Sequence, residues 1–222
     1  MEQNKNNVVT ERVRPLDCRT MGGLRNHLVV MARAPRLGTV KRRLARDVGA
    51  VAALRFYRSH TAALLRDLSG DPRWLTWLAV TPDTATRDGR GLWPFQGRLV
   101  AQGGGDLGRR MSGLFEYLPP GPVVIVGSDI PGITRGHIAG AFRKLGAHDW
   151  VFGPAADGGY WLVGARRRPR LQTPFEGVRW SSADTLADTL ANLQGRRIAL
   201  IETLCDIDTG ADLEAVRDQA AR

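Results

Sequence analysis

Cysteine, histidine and long apolar runs are scarce in this 222-residue chain. Its two cysteines, Cys18 and Cys205, cannot build a disulfide framework and have no metal-ligand spacing, which fits a reducing compartment. No apolar run reaches the roughly 20 residues that a membrane-spanning helix needs. Residues 1–14, MEQNKNNVVTERVR, lack the apolar core of a signal peptide. We therefore expect a cytoplasmic protein without a membrane span.

Two familiar catalytic signatures are also missing. The chain contains no G-x-x-x-x-G-K-[ST] run, so it has no P-loop of the Walker type. Its four histidines are scattered, and no Ser/His/Asp set can be assembled around them. We interpret these histidines as structural; they are His27, His60, His137 and His148.

Basic residues, by contrast, are abundant, with a net charge of +10. One interpretation is an Arg-rich surface; the other is an anionic partner such as a nucleotide or a phosphorylated metabolite. Two clusters stand out. One holds Arg33, Arg36, Lys41, Arg42, Arg43 and Arg46 without any acid, and the other holds Arg166, Arg167, Arg168 and Arg170. Aromatic residues interleave with neither cluster, so we do not expect a nucleic-acid partner.

Short apolar runs alternate with helical patterns along the chain. The predicted strands are residues 27–32, 74–80, 98–102, 122–129, 149–153, 160–165 and 196–203. The predicted helices are one long or two short helices within 40–68, then 108–118, 134–146, one capped by Ser181 or Ser182 and reaching Leu193, and a short closing helix. This alternation predicts a three-layer α/β/α sandwich with a mainly parallel sheet. Residues 1–22 are predicted to be an extension, and residues 23–222 a single domain.

Ligands of open α/β sheets bind beyond the carboxyl ends of the strands. The residues that follow the predicted strands are therefore the candidates for a site. They form five groups: Arg33 to Arg43, Gln102 to Gly108, Ser128 and Asp129, Asp157 to Tyr160, and Asp206 to Asp208. Together they predict a site for an anionic ligand that also contains carboxylates.

The first group is a loop that leads into a helix, with Lys41 and Arg43 predicted in the first turn. Backbone N–H groups at a helix start favour a phosphate, and the cations would add charge-assisted bonds. A solvated basic helix face is the alternative.

The second group, GGGDLG (103–108), matches G-x-G-x-x-G between a strand and a helix, with Asp129 about twenty residues later. That context is typical of dinucleotide binding, so an NAD(P)-dependent oxidoreductase is a rival interpretation. A chance match is easy in a chain with 26 glycines. Within this loop, Gly105 and Asp106 are candidate nucleotide- or phosphate-binding residues.

Carboxylates follow two predicted strands. Asp129 comes just after VVIVG and is a candidate ligand for Mg²⁺ or Mn²⁺, with capping of the following turn as the alternative. Asp206 and Asp208 flank Ile207 after the last strand. One of these two could supply a second metal ligand, and we assign that role to Asp208; helix capping is again the alternative.

The stretch FGPAADGGYWLVG (152–164) breaks an apolar run with a proline, an acid and two glycines. A plain hairpin turn accounts for one Asp-Gly pair. A hairpin does not explain Pro154 or the large aromatic side chains of Tyr160 and Trp161. These residues are expected if the loop forms a wall of a site. Gly158 and Gly159 would then admit a ligand close to the backbone, and Asp157 would bind its hydroxyls or act as a base.

Six ordered blocks within residues 27–215 carry a family resemblance: MARAPRLGTVKRRLARDVG, QGGGDLGRRM, VVIVGSDIPG, GPAADGGYWLVG, VRWSSADTL and DIDTGADL. They resemble a bacterial family of uncharacterised proteins described as predicted glycosyltransferases of the GT-A superfamily. More distantly, the chain is similar to nucleotidyltransferases that act on small phosphorylated acceptors or on molybdenum cofactor.

The resemblance implies a GT-A fold, a nucleotide across the carboxyl edge of the sheet, and a divalent metal near Asp129. It implies that Lys41 and Arg43 match phosphate-facing residues of the family. Arg33 stands where the family commonly has Lys, and Arg42 where it commonly has Thr. The usual Asp-x-Asp metal motif is reduced here to GSD (127–129). Trp180, within VRWSSADTL, is a candidate substrate-binding residue together with Gly158, Gly159 and Tyr160.

The expected function is therefore metal-dependent transfer from a nucleotide-sugar to a small acceptor, with Asp157 and Asp129 as catalytic candidates. Nucleotidyl transfer from a nucleoside triphosphate is the alternative. A nucleotide-binding protein without activity is a third hypothesis, which product formation would exclude.

Overall fold

The computed structural model describes residues 24–88, 91–167, 171–205, 207, 209–212 and 214. Strands β1 to β7 span Asn26–Arg33, Trp74–Thr81, Arg98–Ala101, Val123–Gly127, Trp150–Pro154, Tyr160–Ala165 and Ile198–Leu200. Helices α1 to α6 span Leu44–Val48, Ala50–Ser69, Ala85–Asp88, Leu107–Tyr117, Arg135–Leu145 and Thr185–Ala191. The predicted extension at residues 1–22 lies outside the described residues, as do Cys18 and the predicted metal ligand Asp208.

The strands of the described chain form a seven-stranded sheet in the order β3-β2-β1-β4-β6-β5-β7. Strand β1 pairs in parallel with β2 and β4, β2 with β3, and β5 with β7. Strand β6 runs antiparallel to both β4 and β5. The central strands read as continuous apolar runs because both of their faces are covered by helices. The predicted mainly parallel sheet is thus confirmed.

Helices cover both faces of the sheet. Buried residues of α2 and α5, including Leu65 and Ile138, pack against one face with Val30 and Val126. Residues of α4, including Met111 and Phe115, pack against the other face, where Leu186 and Leu190 of α6 join them. This arrangement is the predicted α/β/α sandwich.

The structure decides one open alternative and corrects other local predictions. The helical stretch within 40–68 is two helices, a short α1 and a long α2, because Gly49 adopts φ 84°, which ends α1 and starts α2. The residue that starts α6 is Asp184, and neither Ser181 nor Ser182 caps it. Ser182 instead accepts a hydrogen bond from the Asp184 amide in the preceding turn, at 3.2 Å. Helix α3 is a single turn that the sequence pattern did not predict.

Trp161 belongs to the core and is only 2% exposed, so it does not form the expected wall of a site. Its indole lies against Gly153 of the neighbouring strand, where a Cβ atom would overlap with the ring. The indole N–H donates to the Glu202 carbonyl at 3.0 Å. A glycine in β5 is therefore needed to admit the tryptophan of β6.

In the described part of the chain, no helix combines the length and the apolar character that crossing a bilayer requires.

Candidate active site at the carboxyl edge of the sheet

The topology brings the described members of all five predicted groups to one edge of the sheet. Strands β1, β3, β4, β5 and β7 run in the same direction, so the residues after them share an edge. Because β6 is antiparallel, its first residue, Tyr160, also lies at this edge. Loops from distant parts of the chain therefore meet there.

Within this edge, the strand order reverses between β1 and β4, since β2 and β3 lie on the far side of β1. Such a switch point is where open α/β sheets form a ligand crevice. The β1–β4 ladder ends at the pair Met31 and Gly127. Arg33 follows on one side of the gap, and Ser128 and Asp129 follow on the other.

An ion pair between Lys41 and Asp129 lies beside this gap, with its ammonium buried and its carboxylate partly exposed. The Lys41 ammonium lies 3.0 Å from the Asp129 carboxylate, and it donates to the Ile207 carbonyl at 2.7 Å. The Lys41 side chain is 4% exposed, whereas that of Asp129 is 44% exposed. One ammonium thus connects the loops after β1, β4 and β7, and the carboxylate remains accessible from solvent.

The backbone of Lys41 differs from the prediction. Lys41 precedes α1 and does not lie in its first turn, and it adopts a left-handed φ of 46°, which is uncommon outside glycine. Such outliers persist where the surrounding structure enforces them, and they concentrate at functional sites. Arg43 occupies the capping position of α1, and it and Arg33 are exposed.

The GGGDLG loop shows a capping role for Asp106. The Asp106 carboxylate accepts from the Arg109 amide at 2.8 Å and so occupies the start of α4. Gly105 adopts φ 91°, and a Cβ atom there would lie 2.7 Å from the Arg109 side chain. An anion at this helix start would meet a carboxylate already in place. A phosphate contact by Gly105 or Asp106 therefore stays a prediction.

The same loop argues against the oxidoreductase interpretation. It follows β3, which is an edge strand, and does not lie at the switch point between β1 and β4. The dinucleotide fingerprint belongs to the first strand–helix turn of its fold, beside such a switch point. The match of GGGDLG to G-x-G-x-x-G is therefore explained by the turn and the cap.

The loop of residues 155–159 between β5 and β6, here the acidic loop, has a clear internal reason for Gly158. Gly158 adopts φ 86°, and a Cβ atom there would overlap with the backbone of Ala183. The Gly158 carbonyl also accepts from the Leu186 amide at 3.0 Å. The group that approaches the backbone so closely at Gly158 is thus the start of α6. Asp157 closes the turn by accepting from the Gly159 amide at 2.9 Å.

Tyr160 and Trp180 meet beside this loop. Their rings pack edge to face at 6.5 Å, and the Trp180 ring also covers Gly108 at the start of α4. The Tyr160 hydroxyl is buried near Thr189 of α6, and burial raises its pKa. At the sheet edge, Tyr160 therefore offers a ligand its ring and not its hydroxyl. Through their contact, Tyr160 and Trp180 join the acidic loop to the GGGDLG loop.

A divalent ion would find one of its two predicted ligands among the described residues. No cluster of three or more His, Cys, Asp or Glu side chains occurs there. Asp129 fits an ion held chiefly by phosphate oxygens and water, because it is accessible at a strand end. It is also already neutralised by Lys41, so an ion would have to compete with the ammonium.

Within the second basic cluster, Arg167 serves the fold. The Arg167 guanidinium donates to the carbonyls of Gly121 at 2.7 Å, Phe115 at 2.6 Å and Leu118 at 3.0 Å, and also to that of Pro119. These carbonyls lie at and beyond the end of α4, where backbone acceptors lack helical partners. Burial lowers the pKa of Arg167 to about 10. Arg168 and Arg170 lie outside the described residues.

Residues that the sequence analysis missed complete the edge. Tyr57 of α2 contacts both Arg33 and Ser128 through its hydroxyl. His60, one turn later, lies close enough to Asp129 to interact with it electrostatically, and burial lowers the pKa of its imidazole. Tyr57 falls on the helical stripe that carries Leu64 and Leu68, so its position reads as an ordinary core position.

A concavity of about 520 Å³ elsewhere does not replace this edge as the candidate site. It lies between α2 and residues 91–94 and is lined by Arg58, Arg66 and Trp93. Its described lining contains no carboxylate. The carboxyl edge is preferred because it gathers opposite charges from several loops.

The fold defines the class. A mainly parallel sheet with an antiparallel strand beside β4, and loops converging at the β1–β4 switch point, is the GT-A architecture of nucleotide-diphospho-sugar transferases. The chain belongs to the family described as "Uncharacterized protein conserved in bacteria (DUF2064)", whose model matches residues 64–182. The family resemblance inferred from the six sequence blocks is confirmed.

Solved structures support the same class. A proposed nucleotide-diphospho-sugar transferase from Desulfovibrio desulfuricans G20 is 29% identical, with 86% of this chain and 85% of that chain covered, at a TM-score of 0.80. The 4-diphosphocytidyl-2C-methyl-D-erythritol synthase of Anaerococcus prevotii DSM 20548 is 10% identical to this chain. The match covers 90% of this chain and 100% of that chain, at a TM-score of 0.54.

Glucosyl-3-phosphoglycerate synthase of Mycobacterium tuberculosis is 11% identical to this chain, and its structure contains Mn²⁺, UDP and glucosyl-3-phosphoglycerate. The match covers 89% of this chain and 77% of that chain, at a TM-score of 0.51. The last two likenesses concern the fold alone. Comparison with curated protein sequences gave no significant match.

Proposed function

We propose that the protein is a metal-dependent transferase that takes a nucleotide-sugar as donor and a small molecule as acceptor. The observation that carries the proposal is the Lys41–Asp129 pair at the switch point, where a cation and an accessible carboxylate stand side by side. The description of the Desulfovibrio protein, which shares the fold over most of both chains, supports the donor class.

The loop of residues 34–43 between β1 and α1 binds the phosphates in this proposal. Lys41 and Arg43 contact the diphosphate, with Arg33 adding charge from the end of β1. Charge-assisted hydrogen bonds of this kind are the strong ones in phosphate recognition. Lys41 can take this role only if its ammonium leaves Asp129 or shares its donors, because it already contacts the Asp129 carboxylate and the Ile207 carbonyl.

Asp129 holds Mg²⁺ or Mn²⁺ together with phosphate oxygens, and Asp208 is the second proposed ligand. When bound, the ion supplies positive charge that stabilises the departing diphosphate. Structures of the same fold that contain Mn²⁺ make this ion a suitable first probe.

The acidic loop serves the sugar or the acceptor. Asp157 accepts hydrogen bonds from hydroxyls or acts as a base, although one of its oxygens already accepts from the Gly159 amide. Gly159, Tyr160 and Trp180 line this side, and Gly158 fixes the loop against α6. In this proposal, the loop after β1 binds the phosphates, and the acidic loop after β5 binds the sugar or the acceptor.

Nucleotidyl transfer is the second candidate, because the synthase from Anaerococcus places a nucleotide-transferring activity on the same fold. The two reactions differ in their products. A nucleotide-sugar donor releases a nucleoside diphosphate, whereas a nucleoside triphosphate donor releases pyrophosphate.

The test starts with a thermal-shift screen of nucleotides and nucleotide-sugars, with and without Mg²⁺ or Mn²⁺. A bound ligand raises apparent stability by RT ln(1 + [L]/Kd), so weak binders are detected. Hits then enter assays for released nucleoside diphosphate and pyrophosphate. A melting shift without either product would indicate a binding protein, and no shift with any nucleotide would refute the proposal.

Asp129→Asn tests the metal role. We expect it to abolish the metal-dependent part of nucleotide affinity while nucleotide still binds in EDTA. Glu116→Gln is the matched control. Glu116 is an exposed carboxylate near the C-terminal end of α4, which points away from the candidate site. Equal nucleotide affinity of the wild type with and without metal would overturn the role of Asp129.

A further inference from the structure

The Tyr57 hydroxyl stands between β1 and β4 at the point where their ladder ends. It accepts from the Arg33 amide at 2.9 Å, donates to the Arg33 carbonyl at 3.0 Å, and lies 3.1 Å from the Ser128 hydroxyl. Tyr57 and Ser128 are each only 4% exposed. The hydroxyl is therefore a buried junction of three segments.

Its partners show what it replaces. In a parallel ladder the amide and carbonyl of one residue point to the same neighbouring strand. Met31 is the last β1 residue that pairs with β4, so Arg33, two residues later, turns its amide and carbonyl to the same side. There the Tyr57 hydroxyl takes the place of β4 and satisfies both groups.

The proton count fits this arrangement. A phenol has one proton to donate and can accept hydrogen bonds at its oxygen. Since the Arg33 carbonyl can only accept, the phenol proton goes there, and the Ser128 hydroxyl donates to Tyr57. Burial raises the pKa of Tyr57, so the hydroxyl keeps this proton.

The geometry points to Tyr57 as a positioning residue of the active site. Its hydroxyl satisfies the end of β1 without β4, which lets the two strands separate at the switch point and opens the crevice between Arg33 and Asp129. Through Ser128, it also fixes the residue next to the Asp129 carboxylate. The inference rests on the proposed function, because it assigns the crevice to the nucleotide.

Tyr57→Phe tests this by removing only the hydroxyl. Thr76→Val is the matched control, because it also removes one partly buried hydroxyl, which donates to the Leu68 carbonyl. Thr76 lies near the start of β2, at the edge of the sheet opposite to the candidate site. Two measurements are made well below the melting temperatures: hydrogen exchange at the Arg33 amide, and the Kd of UDP and CTP with Mn²⁺.

We expect the Arg33 amide to exchange at least about tenfold faster in Tyr57→Phe, and nucleotide affinity to fall about five- to tenfold, as for the loss of a buried hydrogen bond. Thr76→Val should change neither quantity, even if its melting temperature falls as far. Faster exchange with Kd within about twofold of the wild type would reduce Tyr57 to a structural role.

Unchanged exchange at Arg33 would show that the contact itself is absent. If the wild type binds neither these two nucleotides nor any other nucleotide of the thermal-shift screen, the proposed function fails, and the positioning role fails with it. The exchange measurement would in that case still decide whether the hydroxyl junction exists, so the two failures remain distinguishable.

Discussion

Replacing Arg167 with methionine should destabilise the protein without affecting its ligand site. Methionine keeps much of the apolar stem but removes all five guanidinium donors. The carbonyls of Phe115, Leu118, Pro119 and Gly121 then lose their shared partner. Phe115 and Leu118 are buried, so water replaces the guanidinium poorly at these two carbonyls.

The magnitude follows from competing effects. A hydrogen bond from a charged donor contributes roughly 1.5–3 kcal/mol, and an orphaned buried acceptor costs roughly 1–3 kcal/mol. The positive charge at the end of α4 adds about 0.3–1 kcal/mol through the helix dipole. These contributions do not add fully, and removing the guanidinium also relieves its own desolvation, which is why its pKa lies near 10. We expect a net loss of about 2–4 kcal/mol.

Urea denaturation followed by circular dichroism measures this loss, and a melting temperature lower by about 5–12 °C should accompany it. Arg166→Met is the control, because it removes the neighbouring charge without removing the cap; a change within about 0.5 kcal/mol is expected. Arg167→Lys should fall between the two, since an ammonium reaches fewer carbonyls. If Arg167→Met proves as stable as Arg166→Met, the capping argument is wrong.

Three further predictions concern other contacts. Lys41→Met should cost about 1–3 kcal/mol, and a double-mutant cycle with Asp129→Asn should give a favourable coupling energy; a coupling of zero would mean that the pair contributes nothing. Gly158→Ala should cost about 2–4 kcal/mol, whereas Gly104→Ala, with open space around it, should be near neutral; similar melting temperatures for both would contradict the packing against α6. Burial lowers the pKa of His27 to about 4, so stability should fall by on the order of 3 kcal/mol as pH drops from about 6.5 to 4, and His27→Gln should flatten this slope.

The sign of the His27 effect follows from proton binding. The unfolded chain takes up the proton near pH 6.5, whereas the folded protein resists it until about pH 4. Between these values the unfolded state binds more protons, so acid favours unfolding there and has no further effect through His27 below pH 4. A stability profile of His27→Gln with the wild-type slope would exclude His27 as the source.

The sequence predicted the main strands well because buried parallel strands appear as uninterrupted apolar runs. Strands β1 and β2 match their predicted ranges within one residue at each end. The reversed direction of β6 was predicted only through the hairpin alternative for residues 152–164, since the side-chain pattern of a strand carries no direction by itself. Helix α3 was missed because a four-residue helix is too short to show a 3.6-residue period.

Convergence of the site loops on one edge followed from the rule that parallel strands share their carboxyl ends. The partners within the site did not follow. Lys41 and Asp129 are distant in the chain, and their contact depends on how the loops after β1 and β4 fold back. Tyr57 could not be singled out, because an aromatic residue on the buried stripe of a helix is normally a packing residue.

The role of Gly158 was predicted for a different partner. Two glycines after an acid correctly indicated a close approach to the backbone, but local sequence does not say what approaches. The structure supplies Ala183, at the turn before α6. Sequence patterns of this kind identify a steric requirement more reliably than they identify the group that imposes it.

The anchoring of the acidic loop also bears on the thermodynamics of binding. Ala155 and Gly159 are joined across the turn, Ala156 donates to the Leu204 carbonyl, and Gly158 accepts from α6. Ordering one residue costs roughly 1–2 kcal/mol in conformational entropy, and folding has already met that cost for these residues. A molecule that docks against Asp157 would therefore keep more of its interaction energy as affinity. Changes in selectivity on this side should come from new side chains at positions 157 and 160, because the loop has little freedom to adapt its shape.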